Sequence, residues 1–163
     1  MLRVLSVLIL AVFASLSTSN LAAQDFTLLI SSPANGAVGA SIDQVAVLDN
    51  NVASDVAGWS YGVCHDISIL TLTDVVDGST TEIVKNGSAP DFNQVNVLTE
   101  GYTVGLVICF TGCATLGGGV GYELNVASYS CDNEGISTTR FCNTLGAPAV
   151  ETVIAVNGSS VVP

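Results

Sequence analysis

Basic residues are almost missing from this chain: three Lys and Arg stand against 14 Asp and Glu, with a single His. So acidic a polypeptide repels phosphate backbones and cannot assemble the cationic footprint that nucleic-acid binding requires. Nucleic acid is thereby excluded as a partner, and an anionic membrane surface is disfavoured. No apolar run reaches the roughly 18 residues of a membrane-spanning helix, and helix-period stretches are missing beyond residue 23. A Gly-x-Ser-x-Gly nucleophile elbow is absent. So is a second closely spaced Cys pair, without which Cys109 and Cys113 are only half of a zinc site.

What the chain does have begins with an apolar run from Val4 to Phe13, placed behind Arg3 and ahead of Leu21-Ala22-Ala23. That is the layout of a secretory signal peptide cleaved after Ala23. Residues 1–23 are therefore expected to be a signal peptide and 24–163 a single domain, long enough to bury one substantial core. The mature part keeps Lys85 and Arg140 against all 14 acidic residues, a formal charge of −12. The expected location is the secreted fraction or the cell surface.

All five cysteines, Cys64, Cys109, Cys113, Cys131 and Cys142, lie in the mature part. In an oxidising compartment disulfides are the default, and an odd number leaves one thiol free or bridged to another chain.

Short runs rich in Val, Thr, Ile and aromatics alternate with Gly, Asn, Asp and Ser clusters, the spacing of an all-β sandwich or barrel. Expected strands run over 26–30, 44–48, 57–64, 67–72, 81–84, 93–98, 103–110, 122–128, 137–142 and 151–156. Three Asn-Gly pairs, at 35–36, 86–87 and 157–158, suit turns that need positive φ at both central residues; the last reads as a terminal hairpin.

Alternation orients the strands. Trp59, Tyr61 and Val63 share one face, expected to be core, while Gly58, Ser60, Gly62 and Cys64 share the other. Val104, Leu106, Ile108 and Phe110 form an apolar face with Cys109 pointing away, and Phe141 and Cys142 fall on opposite faces. A Cys64–Cys142 bridge outside the core is the first expectation and Cys113–Cys131 the second, with Cys109 free, although spacing alone leaves other pairings open.

The run Val56-Ala57-Gly58-Trp59-Ser60-Tyr61-Gly62-Val63-Cys64-His65-Asp66 resembles the strand of cohesin-like domains that reads roughly "aGf-x-f-x-l-x-yD", with Leu70 as the following apolar residue. Gly36 to Gly39 followed by Val45-Ala46-Val47-Leu48-Asp49-Asn50 is similar to that family's glycine turn and "V-x-V-x-l-x-N" strand. Gly119 to Val126 is similar to its "G-x-y-x-l-x-v" strand. The resemblance implies an antiparallel two-sheet sandwich of jelly-roll, cohesin-like type over 24–163, with about nine strands. The chain also looks like the cysteine-bearing, cohesin-resembling exported domains of bacteria, whereas cohesins of cellulosomes usually lack this cysteine set.

Candidate chemistry is sparse. His65 and Asp66 are adjacent on a strand end and so point to opposite faces, a poor arrangement for a Ser-His-Asp relay. Asp74 with Asp77, and Asp132 with Glu134, are acid pairs of the kind glycoside hydrolysis uses, but each sits in turn-like sequence beside Gly78 or Gly135, where Asp and Gly serve the turn. Catalytic residues are therefore none, and no enzyme is expected. Calcium is the one cofactor the oxygen clusters suit, at Asp132, Asn133 and Glu134 or at Asp49, Asn50 and Asp55. Trp59 and Tyr61 are assigned to the core, leaving Tyr102, Tyr122 and Tyr129 as surface rings for a sugar. The expected function is non-catalytic recognition of a protein or polysaccharide partner, an edge strand near Val161 offering sheet extension; the alternative is a subunit of a surface layer or filament linked through the odd cysteine.

Overall fold

The structure is a computed structural model that describes residues 25–33 and 35–163; the expected signal peptide, 1–23, lies outside the described residues. Ten strands and one short helix follow in order: β1 (Phe26–Ser31), β2 (Ser41–Asn50), β3 (Val56–Cys64), β4 (Leu70–Asp77), α1 (Ser79–Ile83), β5 (Phe92–Leu98), β6 (Gly101–Val107), β7 (Gly119–Cys131), β8 (Arg140–Cys142), β9 (Val153–Val156) and β10 (Ser159–Val161). They form two antiparallel sheets. The smaller has the order β1-β2-β7-β4, and the larger β10-β9-β3-β6-β5, with β8 paired to β3 beyond the end of β9. The chain crosses between sheets repeatedly, so that most neighbours in space are distant in sequence.

Period-two alternation decides which side chains meet between the sheets. Trp59, Tyr61 and Val63 of β3 are buried, as their shared face predicts, against Leu48, Leu124, Tyr129 and Ile154. Gln44, Ala46, Leu48 and Asn50 are the buried set of β2. A polar bridge crosses this apolar layer. The Tyr61 hydroxyl donates to Asn125 Oδ1 at 2.5 Å, Asn125 Nδ2 donates to the Val76 carbonyl at 3.2 Å, and Asn93 Nδ2 donates to both Asp77 oxygens at 2.8 Å. Two strands of the larger sheet are thus tied to two of the smaller: the Tyr61–Asn125 bond is made out of water, where an unpaired partner is costly, and the Asn93–Asp77 pair lies at the exposed margin.

The turn chemistry follows the sequence at two of the three Asn-Gly pairs. Asn86-Gly87 and Asn157-Gly158 hold positive φ at both residues, 51° with 88° and 50° with 76°, and the second joins β9 to β10. The expected strand at 81–84 is instead α1. Thr81, Ile83 and Val84 give that segment β propensity, but the Thr81 hydroxyl donates to the Leu124 carbonyl at 2.6 Å and Gly78 N to the same carbonyl at 2.8 Å, docking a helical turn on β7. Tertiary hydrogen bonds override a weak local preference.

Candidate functional site

Outward-facing positions of the larger sheet follow from its register. Phe92 stands opposite Val107, Gln94 opposite Gly105, Asn96 opposite Thr103, and Gly58, Ser60 and Gly62 continue the surface toward Ala155 and Val153. At one end this face is closed. Cys64 and Cys142 are disulfide-bonded across β3 and β8, and buried Leu145 lies against Gly101, its Cδ1 only 2.9 Å from where a Cβ would stand. At the other end the face is open, small-residued and smooth, with the exposed Phe92 ring resting beside Gly105. Between Asp91 at one margin and Arg140 and Glu151 at the other, the last with its carbonyl accepting from Ser60 Oγ at 2.8 Å, the outward side chains of β5, β6, β3 and β9 include no ionisable group, Cys64 being disulfide-bonded.

The cysteines differ in part from expectation. The second disulfide joins Cys109 to Cys113, and Cys131 is the unpaired thiol, buried at 6% exposure. The expected Cys113–Cys131 pair with Cys109 free assumed that the strand ran on to Phe110. In fact β6 ends at Val107, the chain reverses with Gly112 at φ 70° and its N–H on the Cys109 carbonyl, and Cys113 returns to Cys109. Cys131 closes β7 facing inward, opposite Leu70 and beneath Gly36.

Two of the three expected surface rings are interior. Tyr102 and Tyr129 are 2% and 0% exposed, because the registers of β6 and β7 aim them between the sheets, and Tyr122 is half-buried with its hydroxyl on the Gly117 and Gly118 carbonyls. Burial drives the Tyr61 and Tyr102 hydroxyls well above their ordinary pKa and pushes Tyr129 up to about 12. None of the three is an acid–base group near neutral pH.

His65 lies in a hollow of about 330 Å³ with Asp66, Thr138 and Arg140. Its ring packs edge-on to Tyr129 at 5.1 Å. Asp66 does not orient it: Asp66 Oδ1 accepts from Ser68 N at 2.9 Å and Ser68 Oγ at 2.6 Å, which closes a turn and holds the carboxyl below its usual range. A larger cleft, about 570 Å³, opens between residues 35–38 and 133–137 and contains only Cys131 and Glu134 as ionisable lining. Neither hollow carries paired acids or a nucleophile with a base.

Burial lowers the His65 pKa below its ordinary value. The unfolded chain therefore takes up this proton near pH 6.5 while the folded chain resists it, and stability falls as pH drops below about 6.5. The melting temperature of the wild type is expected to fall more steeply between pH 7 and pH 5 than that of His65→Phe, measured by circular dichroism. Relief of the large negative charge on acidification acts equally on both proteins, so parallel curves would exclude His65 as the cause.

The acidic clusters are spent on local structure. Asp49 accepts from Gly121 N at 2.7 Å, Asn50 donates to the Ser54 and Gly117 carbonyls, and Asp55 accepts from Thr115. Asp132 accepts from Thr71 and Ser130, whose hydroxyls hold its carboxyl below the usual range, and Asn133 donates to the Ser68 carbonyl. Among the described residues no group of three His, Cys, Asp or Glu converges as metal ligands. Nor is any helix among them long and apolar enough to cross a membrane.

With four antiparallel strands facing five and a short β8 appended, the chain is a cohesin-like β-sandwich domain. It is similar to the OlpA cohesin of Clostridium thermocellum, solved with a dockerin, at a TM-score of 0.65 and 14% identity over 86% of this chain and 93% of that one. It is also similar to the sixth cohesin of Acetivibrio cellulolyticus scaffoldin B, solved with a Cel5 dockerin mutant, at 0.61 and 18% over 85% and 92%. The seventh ScaB type I cohesin of Pseudobacteroides cellulosolvens gives 0.61 and 15% over 84% of each chain. No family model and no curated protein matches the sequence.

The uncharged face is the feature that sequence reading passed over. Its signal was half visible: Gly58, Ser60 and Gly62 alternate with the core residues of β3. That Gly105, Val107 and Ala155 extend the same surface depends on pairings between segments far apart in the chain.

Proposed function

We propose that this chain is an exported, non-catalytic recognition module that docks a protein partner on the open half of its larger sheet. The observation that carries the reading is the absence of charge there. A chain with 14 acidic residues leaves Phe92, Gln94, Val107, Ser60, Val153 and Ala155 as a continuous surface without a carboxylate, and depletion of charge around an aromatic residue is the composition of an interface centre. Two of the cohesins it resembles were solved with dockerins, which supports a protein rather than a glycan as the occupant. Burial of Trp59, Tyr61, Tyr102 and Tyr129 leaves Phe92 as the only outward ring of β5, β6, β3 and β9 among the described residues, too little for a sugar-stacking platform. A filament linked through the odd cysteine is disfavoured because Cys131 is buried. Sheet extension at β10 is disfavoured by its length of three residues.

Immobilised wild-type protein, incubated with the source organism's secreted fraction and read by quantitative mass spectrometry, is expected to retain a small set of proteins. Gln94→Glu with Ala155→Glu, which puts charge on both sides of the face, should lose them. Retention of the same set by this variant, or binding to polysaccharide alone, would refute the reading.

A further inference from the structure

The opposite side of the molecule is built on another plan. Outward positions of the smaller sheet lie in rows across its strands. In one row Val45 stands opposite Val126, and Val126 opposite Val76; in the next Leu29 stands opposite Val47, and Val47 opposite Glu123. The result is an apolar band of five side chains, Leu29, Val45, Val47, Val76 and Val126, reaching from β1 to β4. Its ends are open to solvent, with Leu29 47% and Val76 51% exposed.

Carboxylates border the band on both sides. Asp43 and Asp74 flank Ser128 in the row beyond Val45 and Val126, and Asp49 lies in the row beyond Val47, on the same side as Glu123. Each is held in place by a neutral donor: Ser128 Oγ to Asp43 at 2.7 Å, Val75 N to Asp74 at 2.9 Å, Gly121 N to Asp49 at 2.7 Å, and Ser79 Oγ to Glu123 at 2.7 Å. These bonds fix the carboxylates without neutralising them. No cation compensates them either: among the described residues Lys85 is paired with Asp91 and Arg140 lies on β8 of the other sheet.

We propose that this face is a second docking surface, specific for a protein segment whose apolar stripe is flanked on both sides by Lys or Arg. Dimensions favour a helix. Strands about 4.8 Å apart make the band about 14 Å long, two rows make it about 7 Å wide, and a helix lays down a stripe of that width over roughly three turns. Flanking cations would then stand over Asp43 and Asp74 on one side and over Asp49 and Glu123, which closes the Val47 row, on the other. Charge also excludes a second copy of this chain, since two such faces would oppose carboxylate to carboxylate. With the uncharged face on the other sheet, the domain becomes a two-sided adaptor that binds one partner by shape and the other by charge and apolar contact together.

The test uses the whole mature chain and two synthetic helical peptides that share one leucine stripe, flanked by Lys in one and by Glu in the other. Calorimetry gives affinity and isotope-edited NMR gives location. Binding of the Lys peptide alone is expected, with shift changes confined to outward residues of β1, β2, β7 and β4. Asp43→Asn with Asp74→Asn should weaken it at least about tenfold, as should Leu29→Ser with Val76→Ser, which leaves every charge in place. Glu134→Gln with Glu151→Gln, equal in charge but elsewhere, should change it less than about twofold, as should Gln94→Glu with Ala155→Glu, so that failure here and failure of the other face are separable. Equal weakening by all acid removals, shifts on the larger sheet, binding of the Glu peptide, or self-association of the chain in its place would each overturn the proposal.

Discussion

Tyr61→Ala is expected to lower the unfolding free energy by about 3 to 5 kcal/mol, the usual range for removing a buried aromatic. Its ring is fully buried and meets Phe141 edge-on at 5.4 Å and Tyr102 at 6.4 Å, so truncation opens a hole among rigid rings that collapse poorly into it. Its hydroxyl is also the partner of Asn125 Oδ1. Tyr61→Phe separates the two effects: it keeps the packing, orphans one buried amide oxygen and should cost about 1 to 3 kcal/mol. Against a typical domain stability of about 5 to 15 kcal/mol the first change is severe and the second tolerable. Urea denaturation of both variants checks the order, and a Tyr61→Phe cost near zero would show that the polar bridge contributes nothing net.

Loss of the Cys64–Cys142 bond is the second large effect. The two cysteines are 78 residues apart, so the chain-entropy account assigns this cross-link about 4 to 5 kcal/mol. Cys109 and Cys113 are four apart and their bond is assigned about 2 kcal/mol. Cys64→Ala with Cys142→Ala should therefore destabilise at least about twice as much as Cys109→Ala with Cys113→Ala, read by denaturant midpoints at constant m-value. The long-range pair has a further structural duty, because it pins β8 and the segment carrying Leu145 over Gly101 at the closed end of the larger sheet. Equal destabilisation by the two variants would mean that strain or denatured-state structure outweighs loop closure here.

Strand β3 was legible almost to the residue because its large and small side chains alternate without a break from Gly58 to Cys64. Strand β2 carries an equally plain alternation of Asp43, Val45, Val47 and Asp49, yet its meaning was hidden: an outward apolar pair flanked by acids becomes a surface only when Val126, Val76 and Leu29 are brought beside it. The tyrosines show the same limit. Tyr102 and Tyr129 sit near strand ends, where one residue of register decides between solvent and core, and nothing local sets that register. The Cys109–Cys113 closure was local in the sequence but depended on where β6 stops. Helix α1 was hidden because the contacts that dock it, from the Thr81 hydroxyl and the Gly78 N–H to the Leu124 carbonyl of β7, lie more than 40 residues away.

The long-range disulfide also determines how the domain carries load. A pull applied between Phe26 in β1 and Val161 in β10 passes from Cys64 to Cys142 through the covalent bond, so β4, α1, β5, β6 and β7 are bypassed. Some 78 residues, about 27 nm of contour at 3.4 to 3.5 Å each, stay sequestered however hard the chain is stretched. Only the flanking strands can pay out. A domain tethered by its two ends under flow or traction would yield a short extension and then stop, retaining the Phe92 and Gly105 side of its larger sheet inside the locked loop.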